Sequence, residues 1–278
     1  MTDLYEQLQE SIRYIRSRSS DRPKVGVILG TGWQEFTKQL SPSTTIRYRD
    51  IPHLLPQHRK KENGALITGK LGEMPLACLN ERFHLYQGLS ARDVAHPVRV
   101  LCHLGIKTLF VTNAAGGIKR GFKKGDLMLI TDHINMTMQS PATGVEDDRI
   151  GDQFTDMTRA YDPVLIKMAT NAAKALRMKV KKGVYLGVCG PSFETPAEIA
   201  MFGKMGADAV GMSTVTDVIA ARQMGVRVCG LSCITNKAAG LGPQKLTEEE
   251  VHVVMNEVQT GAFQLLREMI ISSTDVFD

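Results

Sequence analysis

Val184-Tyr185-Leu186-Gly187-Val188-Cys189-Gly190-Pro191-Ser192-Phe193-Glu194-Thr195-Pro196 joins an apolar, strand-like run to a helix start. Thr195 suits an N-cap, Pro196 the first helical position, and Glu198 completes a capping box. Glu194 therefore falls between the end of a strand and the start of a helix, beside the ring of Phe193. In open α/β folds, ligands bind in the crevice beyond the carboxyl ends of the strands. A carboxylate there suits a flat, N–H-bearing ligand. The competing reading is a solvated loop acid or a partner of the helix dipole.

Strand and helix patterns alternate on both sides of this stretch. Downstream, the sequence predicts a helix over Pro196–Met205 stopped by Gly206, a short strand at Ala207–Gly211, a helix over Val215–Met224 stopped by Gly225, and a buried strand at Val226–Ile234. A long helix then opens at Thr247, with Glu250 as its capping-box partner, and runs to about Ile271. Upstream, Leu4, Leu8, Ile12 and Ile15 repeat at helical spacing, which predicts a helix over about residues 2–17. Val25–Leu29, Leu66–Thr68, Leu76–Leu79, Thr108–Thr112 and Leu127–Thr131 read as strands, and Val94–Leu104 and Asp162–Met178 as helices. A helix-like stretch follows Gly32 to Leu40, and residues 136–158 read as a long, polar loop of the kind that carries function or meets a partner. No linker or internal repeat interrupts the pattern. The expectation is one α/β domain over residues 1–278, with a mixed, twisted and partly barrel-like sheet flanked by helices.

Composition narrows the class. The hydrophobic fraction of 43% and charged fraction of 23% are those of an ordinary globular protein. No apolar run approaches the ~20 residues of a membrane helix, and the N-terminus lacks the basic start and apolar core of a signal peptide. A cytoplasmic protein without membrane partners is expected. The five cysteines include no C-x-x-C pair and read as buried, reduced thiols rather than a disulfide or zinc framework. The net charge of +5 comes with basic clusters at Arg59–Lys61, Lys119–Lys124 and Lys179–Lys182. Only Phe122 and Tyr185 lie near them as stacking aromatics, so solvated loops are favoured over a nucleic-acid surface.

Several predicted strand ends carry chemistry. Gly30-Thr31-Gly32 lets backbone amides approach an anion and adds a hydroxyl. It is neither a dinucleotide fingerprint, since residue 35 is Glu where the third glycine belongs, nor a P-loop. In Arg82-Phe83-His84-Leu85-Tyr86, an extended chain places Arg82, His84 and Tyr86 on one side, and the guanidinium fork suits phosphate. An edge strand with a polar face explains that pattern equally well. Asn113-Ala114-Ala115-Gly116-Gly117 permits close approach to the main chain after a strand. Thr214 and Asp217 fit a capping box, which puts Ser213 just ahead of a helix N-terminus, an anion-suited position. Asn236, after a buried strand, can donate and accept together. Singly, each has an ordinary explanation as a turn or cap.

Taken in order and spacing, these segments resemble the trimeric, 6-oxopurine-specific type of purine nucleoside phosphorylase, within the purine and uridine phosphorylase-like superfamily. The resemblance runs from Val25 to the last helix. It is carried by Ile28–Gly32, Arg82–Gly88, Val111–Gly117, Asp132–Asn135, Gly190–Thr195, Gly206–Thr214 and Ile234–Lys237. It implies reversible phosphorolysis of inosine, guanosine and their deoxy forms to a free purine and (deoxy)ribose 1-phosphate. It further implies phosphate as a co-substrate, no metal or organic cofactor, and a homotrimer. It implies Thr31, Arg82, His84, Ala114 and Ser213 as phosphate ligands, Glu194 and Asn236 as the purine-reading pair, and Phe193 and Met212 as packing against base and ribose. By the same resemblance Tyr86 is a ribose contact, Phe154 is lent to a neighbouring subunit, and Asn236, Glu194 and His84 are the residues of catalysis.

The chain departs from the family at three places. Thr31 replaces the usual serine and keeps its hydroxyl. The histidine that contacts phosphate is usually followed closely by Gly, whereas His58 is separated from Gly64 by several charged residues, and ungapped counting puts Glu62 in its place. Glu248 stands where the family often has a histidine near the ribose 5′-hydroxyl; it can accept from that hydroxyl or serve as a helix-start acid. Two rival functions follow. A methylthioadenosine phosphorylase is suggested by the altered 5′ side but needs aspartate near position 236. A non-catalytic purine-nucleoside binding protein is suggested by the irregular His58 segment.

Overall fold

Strand β5 (Thr108–Gly117) organises the sheet, because it is paired along both edges. The structure is a computed structural model that describes residues 3–54, 64–242 and 247–273. One edge of β5 is taken along its length by the parallel strand β9 (Arg227–Lys237), with a register shift between Ala115 and Gly116. The other edge pairs first with β1 (Val25–Ile28), in parallel at residues 108–111. Beyond a gap, it pairs with β8 (Ala209–Gly211), antiparallel at Gly116 and Gly117. Strands β8, β7 (Val180–Gly187), β6 (Leu127–Asn135) and β9 then lead back to β5. Five strands thus close a ring, the barrel-like part of the fold. From β1 the sheet continues outward through β4 (Met74–Leu79), β3 (Ala65–Leu71) and β2 (Ser43–Arg47).

The period-two burial of these strands sorts the helices into two layers. Ile28, Leu109, Val111 and Val228 face a core shared with α1 (Leu4–Arg18), α2 (Ala91–Leu104) and α5 (Val215–Gln223). Val25, Val27, Phe110, Cys229, Leu231 and Cys233 face the opposite core, with α3 (Pro163–Ala175) and α6 (Glu248–Ser272). A smaller cluster of Leu186, Ile199, Phe202 and Val210 seats α4 (Pro196–Lys204) against β7 and β8. Burial of this kind contributes about 25 cal/mol per Å² of apolar surface, which is why both layers are needed to cover a two-sided sheet.

Most predicted elements are present within a few residues. Four differ for identifiable reasons. Residues 34–39 form a 3₁₀ helix rather than an α-helix. Strand β2 went unread, because only Ile46 of its five residues is buried. Asn113–Gly117 is not a loop after a strand but the second half of β5, and Asn236 lies within β9 rather than beyond it. Small residues have low strand propensity, but pairing on both sides overrides it. Residues 136–158, in the connection between β6 and α3, contain no helix or strand, as expected. Phe122 and Tyr185 are buried, which removes the aromatics a nucleic-acid surface would have used.

Candidate active site

The gap between β1 and β8 on one edge of β5 is the floor of a cavity of about 320 Å³. Here the chain leaves β1 through Gly30 and Thr31, and β5 presents Asn113 to Gly116. It is the kind of crevice beyond strand ends where open sheets take ligands. Of the sequence-predicted residues, Thr31, Arg82, His84, Tyr86, Ala114, Phe193, Glu194, Met212, Ser213 and Asn236 all line it.

Arg82 is held with little freedom. Its Nε donates to Asp217 Oδ2 at 3.0 Å, and its Nη1 donates to Thr112 O at 3.0 Å and to Ser213 Oγ at 3.2 Å. Nη2 is buried with no hydrogen-bond partner among the described residues. A guanidinium N–H in that state calls for an acceptor, and an anion oxygen is the natural one. Gly30 makes the arrangement sterically allowed: a Cβ there would sit 2.6 Å from Thr112 O and 3.2 Å from Arg82 Nη1. Ser213 is itself tied down, its N–H donating to the buried hydroxyl of Tyr185 at 3.3 Å.

His84 and Tyr86 do share one side, but not through an extended strand. His84 is extended and Leu85–Gln87 turn as a 3₁₀ helix, which stacks the two rings with centroids 4.6 Å apart. Burial, with the Arg82 cation second, pushes the His84 imidazole down to about 3. The ring is therefore neutral and offers one N–H donor and one acceptor.

At the other end, the helix start after Glu194 forms as the sequence predicts. The Thr195 side chain accepts from Glu198 N, Glu198 accepts from Thr195 N at 2.7 Å, and Pro196 occupies the first turn. Glu194 is partly buried, which pushes its carboxyl above the ordinary glutamate range, with Glu198 adding to the effect. Asn236 is orientated by its neighbours: Thr235 Oγ1 donates to its Oδ1 at 3.1 Å, and its Nδ2 donates to Lys237 O at 3.0 Å. Met212 packs over Gly190, whose φ of +67° and missing side chain leave room for its sulfur.

Four further expectations fall outside this group of ten. Phe154 is 90% exposed on the long connection and does not line it. His58 lies outside the described residues, as does the Glu248 side chain, although Glu248 does open α6 and Val251 one turn on lines the cavity. The capping box expected of Thr214 and Asp217 is absent: Thr214 makes no side-chain cap, and Asp217 pairs with Arg82 instead. Asp217, Tyr185 and Thr112 are the supporting residues that sequence reading missed. The one available signal was an acid directly ahead of the apolar run Val218–Ala221.

Among the described residues no group of three His, Cys, Asp or Glu side chains is placed to hold a metal, and no helix is long and apolar enough to cross a membrane. The five cysteines are free thiols, four of them buried.

Comparison with known proteins agrees with this fold. Residues 24–271 match the model of the phosphorylase superfamily. Purine nucleoside phosphorylase 1 of Bacillus subtilis is 40% identical over 265 residues, covering 95% of this chain and 98% of the relative. The purine nucleoside phosphorylase of Rattus norvegicus is 42% identical over 238 residues, covering 84% of this chain and 82% of the relative. Among solved structures, a schistosome purine nucleoside phosphorylase in complex with hypoxanthine superposes with a TM-score of 0.91 at 32% identity, covering 99% of both chains. The chain belongs to the phosphorylase superfamily and, within it, to the purine nucleoside phosphorylases.

Proposed function

We propose that this enzyme carries out the reversible phosphorolysis of 6-oxopurine nucleosides such as inosine and guanosine. The observation that carries the reading is the pairing of two chemistries in one cavity. Glu194 and Asn236 supply an acceptor and a neutral amide for a purine, and Arg82, Ser213, Thr31 and His84 supply donors for an anion. Hypoxanthine in a related structure supports the base half. Inorganic phosphate is the second substrate in this reading.

The chemistry follows from where charge develops. As the bond between the sugar C1′ and the purine N9 stretches, its electron pair moves onto the base, and the ribose becomes cationic. A phosphate oxygen then bonds to C1′, giving ribose 1-phosphate. Bound phosphate stabilises the sugar cation before it attacks, and the Asn236 amide stabilises negative charge on the five-membered ring of the base. Glu194 accepts from the N–H edge of a 6-oxopurine, which fixes the base during departure. Groups already in position act mainly on the charge-separated transition state, which is the condition for a rate effect.

In this reading Tyr86 and Met212 contact ribose, Phe193 covers the base, and Ala114 contributes to the phosphate cradle. Glu248 is the candidate partner of the ribose 5′-hydroxyl, and His58 the candidate further phosphate ligand. Phe154 projects from the long connection into the site of a neighbouring subunit of a homotrimer, which gives an exposed phenyl ring a reason to be there. The reading covers residues 1–278 as one catalytic domain in the cytoplasm, without metal or organic cofactor. A substrate panel with and without phosphate tests it: inosine and guanosine should release base only with phosphate. Preference for adenosine or methylthioadenosine would overturn the 6-oxopurine assignment, and binding without turnover would reduce the protein to a nucleoside carrier.

A further inference from the structure

We propose that Asp217 is a positioning residue for the phosphate half of the reaction, acting solely through Arg82. The proposal rests on the phosphorolytic reading above. Asp217 does not line the cavity, and its side chain is 3% exposed, so it is out of reach of substrate. Its carboxylate takes the Nε edge of Arg82. Thr112 O and Ser213 Oγ take Nη1, so acceptors from β5, the turn before α5, and α5 itself fix the guanidinium plane. Nη2 alone is left for an anion among the described residues.

The start of α5 is built around this arrangement. Val215 N donates to Ser213 O at 2.8 Å, which closes a three-residue turn centred on Thr214. Thr214 has φ 73° and ψ −50°, the rarer and strained form of γ-turn, and it is a fully buried β-branched residue. Its hydroxyl accepts from Asn113 Nδ2 at 2.9 Å, which pins the turn to β5. In an ordinary helix start Thr214 and Asp217 would cap one another. Here the cap is given up and the strain accepted, and Ser213 and Asp217 reach two different edges of one guanidinium. Strain of this kind persists where the surrounding structure over-determines it and is concentrated at functional sites.

The test separates phosphate from base. Asp217→Asn should raise the phosphate KM tenfold or more and leave the Kd for hypoxanthine, measured without phosphate, within twofold. Asp217→Glu, which keeps the charge, should recover most of the loss. In an Arg82→Gln background, Asp217→Asn should add less than twofold, because the residue acts through Arg82. An unchanged phosphate KM, an equal loss of hypoxanthine affinity, or a full additional effect without Arg82 overturns the proposal. Failure of both Asp217 variants to give a cooperative thermal transition overturns it too, in favour of a purely structural pair. A wild-type enzyme that releases no hypoxanthine from inosine on adding phosphate refutes the reaction itself. Wild-type turnover with an indifferent Asp217→Asn refutes only the role of Asp217.

Discussion

The imidazole of His84 lies on the ring of Tyr86, with centroids 4.6 Å apart and planes at 16°. One candidate phosphate ligand and one candidate ribose contact are thereby a single stacked unit. Replacing Tyr86 with Phe keeps the stack and removes the hydroxyl; replacing it with Ala removes both. The expected result is a raised nucleoside KM alone in Tyr86→Phe, and raised KM values for both nucleoside and phosphate in Tyr86→Ala. Stacked pairs are worth about 0.5–1.5 kcal/mol, so the added effect on phosphate should be about two- to tenfold.

The ionisation of His84 gives a second check. Its imidazole is held down at about 3, by burial first and by Arg82 second. The folded state therefore binds this proton less well than the unfolded chain, whose histidine titrates near 6.5. The sign follows: the contribution of His84 favours folding above about pH 6.5 and is lost as pH falls from there toward 3. NMR titration of the His84 ring should show no protonation step between pH 5 and 8. A step near 6.5 would mean that the ring is solvated and cannot serve as a fixed neutral donor.

For Glu194, charge removal without change of shape is the informative experiment. Glu194→Gln should lower kcat/KM for inosine by roughly ten- to a hundredfold, about 1.4–2.8 kcal/mol, with thermal stability little changed. Because burial raises its carboxyl, activity toward 6-oxopurines should begin to fall on acidification at a pH above the ordinary glutamate range. Unchanged activity in this variant would return Glu194 to a loop acid.

Gly30 tests steric design rather than charge. A methyl group there meets Thr112 O at 2.6 Å and Arg82 Nη1 at 3.2 Å, so backbone has to move or Arg82 has to leave its acceptors. Gly30→Ala should cost about 1–3 kcal/mol of stability and raise the phosphate KM more than the nucleoside KM. Urea unfolding and two-substrate kinetics read the two effects separately.

Phe154 should behave as a surface residue in the fold and as a site residue in the assembly. With its ring 90% exposed, Phe154→Ala is expected to leave subunit stability within about 0.5 kcal/mol. The nucleoside KM should rise severalfold, and sedimentation should still give a trimer. A monomeric wild-type enzyme with full activity would remove the rationale for Phe154.

Local patterns determined much of this molecule. Thr195, Pro196 and Glu198 specify the start of α4 within a few residues, so the position of Glu194 ahead of it is legible in the residue order alone. The same holds for the heptad-like apolar spacing in α1 and the glycine stops at Gly206 and Gly225, both at positive φ. The segments singled out in the sequence carried enough residues in order to bring ten expected site residues to one cavity.

What local pattern left open was decided by partners distant in sequence. Asn113–Gly117 became a strand because β9 and β8 occupy its two edges. Thr214 and Asp217 read as a capping box because every residue needed for one is present within four positions. Arg82, 135 positions away from Asp217, offers the buried carboxylate a charge-assisted bond that no local cap can match. The sequence by itself determined most of the helices and strands and that Glu194 stands at the junction of a strand and a helix. Only the tertiary structure decided that the gap on β5 between β1 and β8 is the cavity floor, and that Asp217 serves an arginine rather than a helix. Backbone pairing and burial of charge both depend on which distant groups arrive, and local propensity carries no record of them.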